Sequence, residues 1–268
     1  MNNNVISISA LGLAEDRIYR INKLTDDIYL IDDECIVEVS SSINCRIVDN
    51  TIDKNVKIIG DKASVINYTI LNSKNSKRVF DIKGELIINE IVIDDTVEDL
   101  LVNLKDENAS CDVKLLSIAS NAKSVFSQYI DHQEKNTYSN ISNVGVALNM
   151  ANITFDTTGK IEKGMNKTKC SQLSRGIVMD DGSKVTSKPI LLIDEYDCFA
   201  NHGATIGKMS DEDLFYLMSR GLCKADAFLL ILKGIIMPFV DSLFKEEYKI
   251  EIEAKIKNLI EKWYCERK

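Results

Sequence analysis

From about Ile28 to Ile193 the chain alternates short apolar runs with polar breaks, in the period of strands rather than helices. Val56-Lys57-Ile58-Ile59, Ser64 to Ile70, Glu85-Leu86-Ile87-Ile88, Ile91-Val92-Ile93, Val113 to Leu116, Ser124 to Ile130 and Asn152 to Phe155 are such runs. Ile, Val and Thr fill them, as a pleated and half-buried surface favours. Asn, Asp, Gly and Ser fill the gaps, as tight turns require. No amphipathic helix interrupts the stretch, and only Leu100 to Lys105 is ambiguous. A spacing of roughly 8–12 residues suits a sandwich or barrel. A β-helix, whose rungs are two or three short strands, gives the same spacing. Abundant Asn in the turns suits stacked side-chain ladders, but periodicity alone leaves sandwich and β-helix open.

After Gly207 the period changes. Ser210-Asp211-Glu212-Asp213 reads as a helix start: a hydroxyl to accept a backbone N–H, and acids in the positive first turn. Leu214, Phe215, Leu217 and Met218 give an apolar face, and Gly221 a left-handed stop after Arg220. A second helix starts near Lys224, is apolar nearly all round from Phe228 to Leu232, and is bent or ended by Pro238. A third, Glu246 to about Tyr264, puts Ile252, Ile256, Leu259 and Trp263 on one stripe. The expected organisation is a β-rich body over 1–207, with its solenoid from about residue 28, and a helical subdomain over 208–268.

Composition narrows the function classes. The net charge is −8 over 268 residues, with Lys and Arg scattered, so no basic stripe marks a nucleic-acid groove. Phe228 to Val240 is the longest apolar run, is broken by Lys233 and Gly234, and falls short of the roughly 20 residues a bilayer span needs. Met1 to Asn4 lacks a basic leader. The seven cysteines are odd in number, widely spaced and free of CxxC. They read as reduced, mostly buried thiols of a cytoplasmic protein, without a disulfide framework or closed zinc site. No GxxxxGK[ST] occurs, so ATP hydrolysis is not expected of this chain.

Lys188-Pro189-Ile190-Leu191-Leu192-Ile193, then Asp197, then Asn201-His202-Gly203-Ala204-Thr205-Ile206-Gly207, runs into Asp213-Leu214-Phe215-Tyr216-Leu217-Met218-Ser219-Arg220-Gly221-Leu222. This succession resembles the SufB/SufD family, SufD-like members above all: a proline-led strand, an S/N-H-G-A-T-x-G turn, then L-F-Y-L-x-S-R-G and an alanine-led helix, matched by Ala225, Ala227, Leu232 and Gly234. Asp131-His132 and Cys170 to Met179 match more loosely, so the likeness covers roughly residues 110 to 245. It implies a right-handed parallel β-helix followed by a C-terminal α-helical subdomain. It also implies a non-catalytic scaffold of SUF-type iron–sulfur cluster assembly, pairing with a SufB-like subunit or with itself and docking a SufC-like ABC ATPase. Two departures stand out: the family's helical N-terminal domain does not precede the β-rich sequence here, and Ala200 replaces a cysteine that many members carry two residues before the histidine.

His202 is the sharpest candidate, since imidazole is a competent iron ligand and Gly203 lets a partner backbone approach. The resemblance implies that it meets iron or a cluster at a subunit interface; the plain alternative is a histidine that only caps its turn. On one regular strand, Cys198 and His202 would lie about 13 Å apart at ~3.3 Å per residue, too far to share one ion. Further ligands must then come from an adjacent rung or another chain. Asn201, Gly203, Ala204, Thr205 and Gly207 complete the expected turn. Leu214, Phe215, Tyr216, Leu217, Arg220, Phe228 and Leu232 are the candidate docking residues, with burial against the third helix an equal explanation for Phe228 and Leu232. Glu195 and Asp197 read as solvated acids and His132 as structural. A divergent homodimer without a cluster role, and a carbohydrate-active β-helix enzyme, are the rival readings.

Overall fold

The computed structural model describes residues 4–11, 17–23, 26–71 and 73–265. The seventeen strands among them fall into two parallel sheets. One holds β1 (Val5–Ser7), β3 (Ile28–Ile31), β5 (Asn44–Asp49), β7 (Val65–Ile70), β9 (Glu85–Ile93), β11 (Ser110–Ser120), β13 (Tyr138–Leu148), β15 (Lys169–Val178) and β17 (Phe199–Lys208). The other holds β2 (Ile18–Ile21), β4 (Cys35–Val39), β6 (Asn55–Gly60), β8 (Ser76–Ile82), β10 (Thr96–Leu104), β12 (Lys123–His132), β14 (Asn152–Ile161) and β16 (Lys184–Ile193). Each strand pairs with the second one after it, never with the next, so the chain winds as a coil whose rungs are two strands each. That is a parallel β-helix, and it excludes a closed barrel or antiparallel sandwich.

The coil widens along its length. Near its start one full rung carries the chain only from Ile18 to Ile36, whereas near its end a rung runs from Asn152 to Lys184. Turns between rungs place non-glycine residues at positive φ, among them Asp53, Asn75, Asn108, Asn121, Asn136 and Asn149. Asn tolerates that region better than most residues, and the Asn75 amide donates to the Asp53 carboxylate while Asn136 donates to Asn108. These are the expected ladders.

Inward positions form columns one rung apart. Ile47, Tyr68, Ile88, Val113, Ile141, Gln172 and His202 make one column; Cys45, Ile66, Leu86, Cys111, Ser139, Cys170 and Ala200 make its neighbour. The bore is mostly apolar at the narrow end and becomes more polar toward the wide end. Outward residues Ile91, Leu116, Ile118, Val144, Val146 and Leu148 of β9, β11 and β13 are also buried. Helices cover them, which is why these strands are apolar on both faces.

Those helices are α1 (Asp211–Ser219), α2 (Lys224–Val240) and α3 (Glu246–Cys265). The Ser210 side chain accepts from the Asp213 amide at the start of α1, and Gly221 takes φ +97 beyond its end. Pro238 lies within the last turn of α2. Ile252, Ile256 and Trp263 of α3 join the apolar cluster on the sheet.

Three expectations are corrected, and one ambiguous piece, Leu100 to Lys105, is settled. Strands begin at Val5, well before residue 28. Leu100 to Leu104 is strand, inside β10. Glu85 to Ile93 is one strand rather than two. Asn201 to Gly207 is no turn: it lies within β17, held by parallel pairing to β15, because those hydrogen bonds override the turn preference of Asn and Gly.

Candidate functional site at the open end of the solenoid

The two ends of the coil differ. At the narrow end the terminal strands β1 and β2 are three and four residues long. At the wide end β16 and β17 are ten residues each, and each pairs on one side only. Short terminal strands are one way in which proteins blunt an edge; long ones present a row of free backbone groups. Pro189, which has no N–H to give a ladder, sits in β16, where an edge tolerates it. Ile190, Leu192, Ile193, Phe199 and Ile206 are exposed on these two strands, and Tyr196 on the turn between them.

Into this mouth faces the inward side of β17: Ala200, His202, Ala204 and Ile206, stacked in register on Cys170, Gln172, Ser174 and Gly176 of β15. His202 thus occupies a bore position, exposed because no further rung covers it. Its column is apolar from Ile88 to Ile141, then polar at Gln172. Cys170 lies one rung beneath Ala200, buried, its thiol pushed up by burial. Cys198 precedes β17, in the turn after β16, so the two positions do not share one regular strand. Its thiol donates to the Glu195 carbonyl at 3.1 Å and is raised by burial and by Glu195 and Asp197.

Glu195 proves to be a clamp. Its carboxylate accepts the backbone N–H groups of Gly164, Tyr196 and Asp197, which ties the last turn to the rung below and lowers its own pKa. His132 is buried, its ring nitrogens 2.8 Å from Thr137 Oγ1 and 2.9 Å from Ser139 Oγ. Burial drives it down to about 4, so it is neutral and structural. Burial likewise pushes Cys35 and Cys45 up to about 12, marking inert thiols. Among the described residues no group of three or more His, Cys, Asp or Glu is placed to hold a metal ion. Among the described residues the mouth offers one imidazole, that of His202.

The helical candidates divide. Phe215 and Tyr216 stand out from α1, 75% and 57% exposed, and the Arg220 guanidinium lies 5.3 Å above the Tyr216 ring. Leu214 is buried and Leu217 half-buried in the apolar cluster that the helices share with the sheet. Phe228 packs on Trp263 at 5.4 Å between ring centroids, and Leu232 is wholly buried. Phe228 and Leu232 thus lie in the core shared by α2, α3 and the sheet, whereas Leu230 of the same apolar run is 51% exposed. No helix among the described residues is long and apolar enough to cross a membrane.

One polar cluster in the bore was not foreseen. Arg78 of β8 is fully buried, its Nε 2.7 Å from Asp49 Oδ2 and its Nη1 3.0 Å from Glu98 Oε2. Tyr68 donates to Asp49 at 2.6 Å, Thr51 donates to it twice, and Ser73 donates to Glu98. The only trace in the sequence is one inward-parity Arg in Ser76-Lys77-Arg78-Val79-Phe80.

Comparison with known proteins gives this architecture a family. The model of the SufBD core domain of SUF system FeS cluster assembly matches residues 38–235. The iron–sulfur cluster assembly protein SufD of Bacillus subtilis is 29% identical over 254 residues, which is 93% of this chain and 55% of that protein. A SufBD family protein of Pyrococcus horikoshii is 35% identical over 121 residues, 44% of this chain and 26% of the relative. SufD of Plasmodium falciparum is 28% identical over 115 residues, 42% of this chain and 8% of the relative. The chain thus spans about half the length of the Bacillus relative and less of the others. With most of its coil and the start of its helical tail inside the matched segment, the chain belongs to the SufBD core family of the SUF system.

Proposed function

We propose that this chain is a non-enzymatic scaffold of SUF-type iron–sulfur cluster assembly, working in the cytoplasm. In this reading the wide end of the coil pairs with a SufB-like subunit or a second copy, and the exposed face of α1 receives a SufC-like ABC ATPase. Iron or a cluster is cargo held at the shared interface, with His202 as this chain's contribution. The observation that carries the reading is the asymmetry of the ends. Two ten-residue edges with exposed Ile190, Leu192, Ile193 and Ile206 surround a bore that closes on His202, while the narrow end is blunt. Such an edge invites association with another chain.

Co-expression with SufB-like and SufC-like subunits, followed by size analysis and iron and sulfide assay, tests the proposal. The expected result is a complex that breaks when Leu192 and Ile206 are both replaced by Glu, while the melting temperature of the chain itself is unchanged. A wild-type chain that remains monomeric and captures neither subunit would sink the idea. Phe215→Ser with Tyr216→Ser is expected to release the ATPase alone, with stability changed by no more than about 0.5 kcal/mol, as at exposed sites generally. If the double variant retains the ATPase, docking lies elsewhere on the helices.

A second reading, a homodimer that has lost cluster work, is favoured by Ala200 and the single imidazole of the mouth. It predicts the same edge pairing between copies, with neither iron nor sulfide in the purified protein.

A further inference from the structure

We propose that Gln172 positions His202, its side-chain oxygen accepting a hydrogen bond from one imidazole nitrogen so that the other nitrogen is presented to the subunit interface. Gln172 and His202 are directly opposed in the β15–β17 pairing, and both side chains belong to the inward column. Strands sit about 4.8 Å apart, so one imidazole rotation spans the gap between the two side chains. Gln172 is only 3% exposed. Its Nε2 donates to the Ile190 carbonyl of β16 at 3.3 Å. That contact fixes the amide, because the flipped form would set one oxygen against another. Oε1 is then left buried with no partner, a state that costs about 1–3 kcal/mol if nothing fills it.

The surrounding surface makes His202 the natural donor. Its neighbours on the same face, Ala200 and Ala204, have no polar side-chain atoms. Across the bore, the backbone of β14 is bare at Gly159. A Cβ there would lie 2.5 Å from Cys170 Sγ and 3.0 Å from Gln172 Nε2, so glycine leaves the room that both side chains occupy. A metal-binding histidine commonly gives its second N–H to a carbonyl, which sets the tautomer and aims the free lone pair. Gln172 is a positioning residue in this sense, and the role rests on the interfacial reading of His202. Bulk packing alone would not require an oxygen at this place.

The chain has only two histidines, so imidazole nitrogen NMR reads His202 directly, with buried His132 as an internal check that the fold is intact. Gln172→Glu puts a carboxylate at the same position and is expected to raise the His202 titration midpoint by about 1 pH unit or more over wild type. Gln172→Leu removes the acceptor and is expected to change the His202 tautomer ratio, while His132 signals stay in place. Identical His202 titration and tautomer ratio in wild type and both variants overturns the proposal. A separate measurement, ferrous iron bound by the complex purified with its partner, tests the reading beneath it. If His202→Asn leaves iron uptake intact while the tautomer still responds to Gln172, the positioning is supported and the ligand reading falls.

Discussion

Alanine at Arg78 is expected to remove about 3–5 kcal/mol of folding free energy, the cost of taking one partner from a buried ion pair. Domains of ordinary stability have only about 5–15 kcal/mol in total. The guanidinium is fully buried and faces two buried carboxylates, Asp49 and Glu98. Burial works against its charge, but those two acids outweigh burial and hold it protonated. Remove the cation, and both carboxylates lose their compensation where water cannot replace it. Asp49 keeps its bonds from Tyr68 and Thr51, whereas Glu98 keeps Ser73 and the buried carboxyl of Glu90. Two further variants separate charge from packing. Arg78→Lys keeps the charge but cannot bridge both acids with a planar fork, so an intermediate loss is expected. Arg78→Met together with Asp49→Asn and Glu98→Gln removes the charges at once and should recover much of the deficit. Urea titration followed by circular dichroism measures all four proteins. A loss below about 1 kcal/mol in Arg78→Ala would show that the bore admits water at this rung.

That cluster marks where the sequence stops being legible. The strands are written plainly, because Ile153 and Phe155 alternate with polar neighbours and the turns are marked by Asn and Gly. Helix boundaries were equally open, since Ser210 and Gly221 are capping residues with little other use in those places. The pairing was not. Each strand lies beside one a full rung further along the chain, as Ile18 beside Ile36 and Asn152 beside Lys184, and no local pattern records such a separation. Arg78 shares inward parity with Phe80, yet an isolated Arg beside Lys77 reads as solvated until Asp49 and Glu98 arrive from other rungs. Asn201-His202-Gly203 reads as a turn for the same reason: β15, which makes it a strand, lies a whole rung upstream. Recognition of His202 came from the run of residues around it. Its place at the end of a column, over Gln172, came only from the stacked register.

Acidification from pH 7 toward 4 is expected to strip stability through His132, by about 3 kcal/mol over the full window. The folded-state value lies at about 4, against about 6.5 for a free imidazole. Below pH 6.5 the unfolded chain takes up a proton that the folded chain, with the ring buried between Thr137 and Ser139, refuses. The unfolded state therefore binds more protons, and stability falls with falling pH until about pH 4, where both states are protonated. At pH 5 about 2 kcal/mol of the loss is already present by the same relation. Glu90 works in the opposite direction. Burial first, and then neighbouring Glu98, raise its pKa, so the folded chain holds a proton that the unfolded chain has released above about 4.5. Acid relieves that cost, and the wild-type profile is the sum of the two slopes. His132→Asn is expected to begin from a lower stability at pH 8, because two hydrogen bonds are altered, and then to lose about 3 kcal/mol less than wild type between pH 6.5 and 4. Glu90→Gln removes the opposing slope, so its curve should fall more steeply than wild type on acidification. Denaturant midpoints taken every half pH unit give all three curves. If the His132→Asn curve runs parallel to wild type, the imidazole is hydrated in the folded chain, and the polar column from His132 through Ser139 to Cys170 is open to water from the mouth.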